Sequence, residues 1–269
     1  MTDFRGAHVL ITGAASGLGR LIALDSVRRK ARVTLLDRDE KGLGKVCEET
    51  YAMGGDSEGF VVDLSSREAV QATCAEVLTH RGGVDILINN AGIVSGKTLL
   101  ECSDEDILHT FQVNVLAHFW TVRAFLPGMM AAGKGHIVTV ASAAGLAGTS
   151  RLVDYCSSKF ASVGFDESLR MELKQLNSPI RTTVVCPFFI DTGMFEGAKT
   201  RFAWLLPILQ PDYVVRRIMK AIEGNRSRLI MPRFVMTLPV VRVLPPFLFD
   251  AVLGFFGVHQ SMDGFKGRH

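Results

Sequence analysis

Several patterns that define large classes of protein are missing from this sequence of 269 residues. Its 30 basic and 27 acidic residues nearly balance, and the net charge of +3 is too small to indicate a nucleic-acid partner. Its five cysteines form no Cys-x-x-Cys pair, which favours reduced thiols in a cytosolic-type compartment over a disulfide framework. Its seven histidines are dispersed without the spacing of metal ligands, so we expect no metal site.

Long uncharged apolar runs are missing as well. No such run reaches the roughly 18 residues of a membrane-spanning helix, and a strand pattern starts at residue 7, so we expect neither a spanning helix nor a signal peptide. Residues 232–269 are nevertheless strongly apolar between scattered charges and prolines. This extension predicts either a packed segment at a subunit contact or a surface that rests on a membrane or lipid particle. We expect a cytoplasmic protein, with peripheral membrane association as the open alternative.

The residues that are present favour one α/β domain over the whole chain, 1–269. Apolar residues make up 48% and charged residues 21%, which suits a globular protein with a large interior. Short apolar runs alternate with longer helical patterns, and no linker or repeat divides them. The strands are predicted at 7–12, 32–36, 58–62, 84–88, 135–141, 181–186 and 227–231, and the helices near 17–30, 39–52, 66–80, 104–131, 154–176 and 211–224.

This alternation predicts a parallel seven-stranded sheet in the doubly wound, Rossmann-type arrangement, with helices on both faces. Ligands of such sheets bind at the carboxyl ends of the strands. Segment 188–210 breaks the regular alternation and is rich in aromatic and aliphatic residues. Because it follows a strand end, it predicts a lid over the ligand site.

A glycine-rich turn, Thr12–Gly19, follows the first predicted strand. Small residues there let backbone N–H groups and the amino terminus of the next helix approach an anionic pyrophosphate. A glycine triplet alone is a weak signal, but here a strand precedes it, a helix follows it, and an acid ends the next strand. We therefore predict a dinucleotide site at this turn. The predicted contacts within the turn are Gly13, Ser16, Gly17, Leu18 and Gly19.

The acid that ends the second strand, Asp37, bears on the choice of cofactor. A carboxylate there accepts hydrogen bonds from both ribose hydroxyls of NAD and repels the 2′-phosphate of NADP. Arg38 follows directly and could bind that phosphate, but Asp37 would face it at contact distance. The sequence therefore favours NAD over NADP, while an ordinary surface turn is the alternative without a ligand.

Tyr155 and Lys159 are spaced as an acid–base pair, with Ser142 at the end of an earlier strand. Positions i and i+4 of a helix share a face, so the phenol and the ammonium point into the same space. A nearby cation stabilises the phenolate, so we expect a lowered pKa for Tyr155. The spacing alone is common, and most instances are solvated helix faces.

Together these motifs resemble the short-chain dehydrogenase/reductase superfamily over residues 7 to about 230. The resemblance is carried, in the order of the family, by the turn at 12–19, Asp63, Asn89-Asn90-Ala91-Gly92, Asn114, Ser142, Tyr155, Lys159 and the segment from Pro187 to Thr192. Segments such as 137–142 and 262–265 look like the branch of retinol dehydrogenases and 17β-hydroxysteroid dehydrogenases. Many members carry Pro-Gly where this chain has Pro187-Phe188, which puts the shape of the pocket in doubt more than cofactor binding.

The resemblance implies roles for individual residues. Tyr155 would exchange the substrate proton, Lys159 would bind the nicotinamide ribose, and Ser142 would hold the substrate oxygen. Asn114 would form a bend in the helix at 104–131 that holds a water linked to Lys159. The further cofactor contacts implied are Asp63, Leu64, Asn90, Ala91, Pro187 and Thr192. The resemblance also implies a homodimer or homotetramer through the helices at 104–131 and 154–176.

The segments expected near the pocket are apolar, which favours a lipophilic alcohol over a sugar or hydroxy acid. Retinoids, steroids and long-chain alcohols all fit this description. The leading hypothesis is an NAD-dependent oxidoreductase of such an alcohol or its carbonyl. Two alternatives stay open: an NADP-dependent carbonyl reductase of similar lipids, and a lipid-surface binding protein whose cofactor site is regulatory.

Overall fold

The computed structural model describes residues 1–267 as a seven-stranded parallel sheet with helices on both faces. The strands are β1 (His8–Thr12), β2 (Arg32–Asp37), β3 (Ser57–Val61), β4 (Ile86–Asn89), β5 (His136–Val140), β6 (Arg181–Pro187) and β7 (Arg228–Met231). The main helices are α1 (Gly17–Arg28), α2 (Glu40–Ala52), α3 (Arg67–Arg81), α4 (Asp104–Phe111), α5 (Ala117–Ala132), α6 (Val153–Gln175) and α7 (Pro211–Glu223). Two shorter helices, α8 (Leu238–Val241) and α9 (Pro246–Phe255), follow β7.

The predicted fold class is confirmed, and each predicted strand is present with its ends shifted by at most two residues. The alternation of side chains along β1 shows why both faces are covered. Val9 and Ile11 pack into the layer that contains α1 and α7. Leu10, between them, packs into the opposite layer with Val77 of α3 and Phe125 of α5. Successive strand residues point to opposite faces, so a fully apolar strand must be covered on both.

The order of the strands, β3-β2-β1-β4-β5-β6-β7, locates the ligand site. The chain runs outward from β1 to β3 on one side and then returns to place β4 on the other side of β1. Connections on the two sides leave the carboxyl edge in opposite directions, which opens a crevice between β1 and β4. The glycine turn after β1 and the Asn89–Gly92 segment after β4 meet at this crevice.

The helix expected at 104–131 is not continuous. A π-helical turn, Gln112–Leu116, separates α4 from α5, and Asn114 lies at its centre. A π turn inserts an extra residue into the helix, which widens it and frees backbone groups from the regular ladder. The π turn lies at the position of the expected bend, while the role of Asn114 stays a prediction.

The apolar extension beyond β7 folds into a short helical turn, Arg233–Thr237, followed by α8 and α9. Proline stands near the start of both α8 and α9, where a missing N–H costs little. Within residues 1–267, no helix is long and apolar enough to cross a membrane. The lid segment 188–210 contains one isolated parallel bridge, Ile190 to Leu209, and otherwise runs as turns in the described structure.

Candidate active site

A cleft of about 240 Å³ opens at the carboxyl edge of the sheet, between the turns that follow β1 and β4. It collects nearly all of the predicted site residues: Gly13, Ser16, Gly17, Leu18, Asp37, Asp63, Leu64, Asn90, Ala91, Ser142, Tyr155, Lys159, Pro187 and Thr192. The other two, Gly19 and Asn114, lie behind its wall and support residues that line it. Residues far apart in sequence therefore converge on one site.

The glycine turn is held by polar contacts to the segment after β4. The Asn90 side-chain amide donates to the carbonyl oxygens of Thr12 (3.0 Å) and Gly13 (3.2 Å). The Thr12 hydroxyl oxygen accepts from the backbone N–H groups of Asn90 (3.0 Å) and Ala91 (3.1 Å). A Cβ on Gly19 would lie 2.0 Å from the Gly13 carbonyl oxygen, so the first turn of α1 can approach only as glycine. The cradle for an anionic group is thus built from backbone at close range.

Two carboxylates stand on the cleft wall beyond the turn. Asp37 accepts hydrogen bonds from the backbone N–H groups of Ala15 (3.0 Å) and Asp39 (3.1 Å), which fixes its orientation. Hydrogen bonds from the backbone and hydroxyl of Ser65 lower the pKa of Asp63, so this acid is ionised at neutral pH. Each carboxylate can accept further hydrogen bonds, which suits the hydroxyl and amino groups of a dinucleotide.

Tyr155 and Lys159 lie in the first two turns of α6, both buried, with the Lys159 ammonium 5.6 Å from the centre of the tyrosine ring. Lys159 Nζ donates to the Val140 carbonyl oxygen at 3.0 Å, and burial lowers the pKa of the ammonium to about 8. Burial raises the pKa of Tyr155, and a hydrogen bond with Ser142 offsets part of that rise. The direction is opposite to the one expected from the spacing, because desolvation of the buried phenolate outweighs the hydrogen bond with Ser142.

Asn114 links the π turn to the loop after β4 and to α6, which both border the site. Its side-chain oxygen accepts from Ile93 N at 2.8 Å, and its amide donates to Ile93 O at 2.9 Å and to Ser158 Oγ at 3.0 Å. Its backbone carbonyl accepts from Ser162 Oγ at 2.9 Å. Ile93 belongs to the loop after β4, while Ser158 and Ser162 belong to α6, so Asn114 fixes the distance between these elements.

Sequence reasoning missed Asp154, which directly precedes Tyr155. Its buried carboxylate accepts from Ser95 Oγ and from Thr110 Oγ1, each at 2.9 Å. It thereby ties the start of α6 to the loop after β4 and to α4. An acid in the first turn of a helix is stabilised by the helix dipole, but nothing in the sequence pattern showed its two partners.

A second cavity, of about 90 Å³, adjoins the cleft and is almost entirely apolar. Four residues line both spaces: Ser142, Tyr155, Phe188 and Phe195. The bulky Phe188 therefore forms part of the wall between them. The sequence did not indicate that the C-terminal helices contribute to this cavity, yet Leu238, Val241, Val252, Leu253 and Phe256 all line it.

A parallel sheet with a glycine cradle at its switch point defines an α/β domain of the dinucleotide-binding class. The family model described as "short chain dehydrogenase" matches residues 7–201. The chain belongs to that family, in its retinol dehydrogenase branch. It is 43% identical over 263 residues to human epidermal retinol dehydrogenase 2, covering 97% of this chain and 85% of the relative.

Solved structures support the same assignment but differ in their cofactor. A short-chain dehydrogenase/reductase from Burkholderia phymatum in complex with NAD superimposes with a TM-score of 0.82 at 29% identity, covering 90% of this chain and 95% of the other. A metagenomic short-chain oxidoreductase in complex with NADP gives 0.71 at 30% identity, covering 84% and 97%. Family members thus bind either nicotinamide dinucleotide.

Proposed function

We propose that this chain is an NAD-dependent oxidoreductase that interconverts a lipophilic alcohol and its carbonyl. The observation that carries the proposal is the position of Tyr155 and Ser142 on the wall shared by the polar cleft and the apolar cavity. A reacting carbon held there would face a dinucleotide on one side and apolar side chains on the other. Such a lining favours a retinoid, steroid or long-chain alcohol over a sugar.

In this proposal the dinucleotide is held by the glycine turn, Asp37, Asp63 and Thr192. Bound nicotinamide supplies the hydride acceptor for oxidation and the hydride donor for reduction. Ser142 donates a hydrogen bond to the substrate oxygen, and Tyr155 exchanges the proton at that oxygen. With a raised pKa, Tyr155 is protonated at neutral pH and ready to act as the acid of carbonyl reduction. In the oxidation direction the charge of Lys159 stabilises the phenolate of Tyr155.

The test of this mechanism is hydride transfer, followed by NADH absorbance over panels of retinol, steroids and fatty alcohols. Tyr155→Phe should lower kcat about a thousandfold, because the variant keeps the ring and loses the exchangeable proton. Its affinity for NADH and its melting temperature should stay close to those of the wild type. Equal rates for the two proteins would refute the proposed role of Tyr155.

NAD is proposed over NADP because Asp37 is fixed beside the glycine turn by two backbone donors. A 2′-phosphate near this carboxylate would meet like charge. Kd measurements with both cofactors should favour NAD at least tenfold in the wild type, and Asp37→Ala should reduce that preference by about the same factor. A wild-type preference for NADP would instead favour the carbonyl-reductase alternative.

A second candidate role, peripheral contact with a lipid surface, is favoured by the outer face of the segment that contains α8, α9 and the turn between them. Val240 (74% exposed), Val243 (84%) and Phe247 (71%) point away from the cavity that the same segment lines. Grouped exposed apolar side chains of this kind are typical of interaction surfaces.

The test is a flotation assay with phosphatidylcholine and phosphatidylserine vesicles. The wild type should float with the vesicles, and the double variant V243S/F247S should not. Tyr51→Ser, at an equally exposed aromatic residue of α2, is the matched control and should float like the wild type.

A homodimer or homotetramer stays a prediction from the family. Its support is a set of exposed apolar residues on the helices expected at the contact, which includes Leu108, Leu116, Phe119 and Met171. Phe119 packs edge-on against Phe165 at 4.6 Å between ring centres, so α5 and α6 present one joint surface. Light scattering of the purified chain would give the number of subunits.

A further inference from the structure

Residues 258–266, which we call the strap, follow α9 and run back along the lid segment. The backbone N–H of Lys199 in the lid donates to the Ser261 carbonyl oxygen at 2.9 Å. The backbone N–H of Lys266 in the strap donates to the Glu196 carbonyl oxygen, also at 2.9 Å. Apart from turns within residues 193–200, these two are the backbone hydrogen bonds that the described structure gives this part of the lid. The strap is therefore its main backbone anchor.

Two glycines let the strap and the lid touch backbone to backbone. A Cβ built on Gly264 would lie 2.8 Å from the Gly197 carbonyl oxygen. A Cβ built on Gly197 would lie only 1.9 Å from the Gly264 carbonyl oxygen. Neither contact would accommodate a side chain without movement of a backbone. The close approach of Gly197 and Gly264 therefore fixes the alignment of the strap along the lid.

The strap also reaches the catalytic tyrosine and the opposite wall of the site. Met262 is fully buried in the apolar cluster that contains Tyr155 and against which Phe195 packs. Phe265 packs on the loop after β4 at Gly96, where an added Cβ would lie 1.9 Å from the phenylalanine ring. One short segment thus contacts both the lid and the loop that flank Tyr155.

We infer that the strap is a positioning element that sets the width of the substrate site, an inference that rests on the proposed oxidoreductase function. The lid residue Phe195 lies edge-on to Tyr155 with 5.5 Å between ring centres, and it lines both the cleft and the apolar cavity. Its distance from Tyr155 depends on where residues 193–199 are held, and the strap holds them. Met262 and Phe265 fix the same gap from the side of α6 and the loop after β4.

The first test is limited trypsin digestion of the full chain, because Lys199 and Arg201 are cleavage sites within the anchored lid. Gly264 lies outside the left-handed backbone region, so alanine at this position adds only the clash with Gly197. Gly264→Ala should therefore speed cleavage at these sites at least tenfold. Gly254→Ala in α9 is the matched control, since its Cβ would meet only His259 at 3.6 Å. Its cleavage rate should stay within twofold of the wild type.

The second test separates positioning from folding by steady-state kinetics. Gly264→Ala should raise KM for a long-chain alcohol about tenfold while changing kcat and the Kd for NADH by less than threefold. Phe265→Ala, which removes a contact without adding a clash, should shift KM in the same direction, and Gln260→Ala at an exposed strap position should not. Unchanged cleavage and unchanged KM in Gly264→Ala would overturn the inference. If the wild type transferred no hydride, the proposed function would fail, while the cleavage rates would still decide whether the strap anchors the lid.

Discussion

The cofactor cleft and the apolar cavity share Tyr155 but are built in different ways. The cleft is formed by turns at the ends of central strands, which short-range polar contacts and close backbone approaches hold in place. The cavity lies between the segment 142–155 and a cover made of the lid, α8 and α9, which packs mainly through aliphatic and aromatic side chains. The cleft, one half of the site, is therefore specified by backbone geometry. The cavity, the other half, is specified by side-chain volume.

This difference predicts unequal tolerance to substitution. A buried polar contact that loses its partner costs about 1–3 kcal/mol and has no alternative geometry. Apolar packing is less directional, and swaps that conserve volume usually cost below about 1.5 kcal/mol. The cleft should therefore bind one class of cofactor across related chains, while under the proposed function the cavity can be reshaped for different lipophilic alcohols.

The largest effect should come from Gly19→Ala in the cleft. Its Cβ would lie 2.0 Å from the Gly13 carbonyl oxygen and 2.7 Å from the Asn90 amide, so the cradle must open. We expect affinity for NADH to fall at least about a thousandfold, a loss of roughly 4 kcal/mol. Fluorescence titration measures this. Gly148→Ala, where an added Cβ meets nothing within 4 Å, is the control and should bind normally. Normal binding by Gly19→Ala would remove the contrast between the two halves.

Next in size is Leu253→Ala in the cavity wall. Leu253 is buried, and its loss should reduce the free energy of unfolding by about 3 kcal/mol while enlarging the cavity. Affinity for NADH should stay unchanged, and KM should fall for bulkier alcohols relative to smaller ones. Denaturant unfolding and kinetics over alcohols of increasing length measure the two effects. Leu253→Met, which nearly conserves volume, should keep most of the stability. A parallel loss of NADH affinity would show that the halves are not independent.

The same contrast explains what the sequence could predict. The strands are almost continuously apolar because the sheet is buried on both faces, so their positions could be inferred within two residues. The cofactor turn could be inferred because glycine spacing, a preceding strand and Asp37 are all local signals. The spacing of Tyr155 and Lys159 indicated a shared helix face, but their roles and that of Ser142 were assigned through the family resemblance. The structure brings the three residues together at the cleft.

The features that sequence reasoning missed all depend on contacts between distant segments. The pKa of Tyr155 was expected to fall, but its spacing from Lys159 carries no information about burial. Asp154 gave no signal because its partners lie 59 and 44 residues away. The apolar extension was recognised by composition, yet its division into an inner face on the cavity and an outer exposed face required the fold.

The smallest effect concerns α6, the helix that carries Tyr155 for both halves. Farther along it, Asp166 is buried against β6 and accepts from Thr182 Oγ1 at 3.2 Å. Burial raises the pKa of Asp166 to about 7, although the hydrogen bond from Thr182 and the charges of Arg170 and Arg228 oppose the shift. A raised pKa in the folded state means that this acid contributes stability below its unfolded pKa of about 3.9, and that the contribution is lost as the pH rises toward 7.

Asp166→Asn removes this titration, so the stability of the variant relative to the wild type should increase by about 2.5 kcal/mol between pH 5 and pH 8. Denaturant unfolding at the two pH values measures the difference, with Glu172→Gln at an exposed position of α6 as the control. Affinity for NADH and KM should not change, because Asp166 faces the sheet rather than either half of the site. A pH-independent difference would mean that Asp166 stays ionised in the folded protein. A change in KM would instead show that the packing of α6 against β6 influences the cavity. The helix that carries Tyr155 would then connect the two halves of the site.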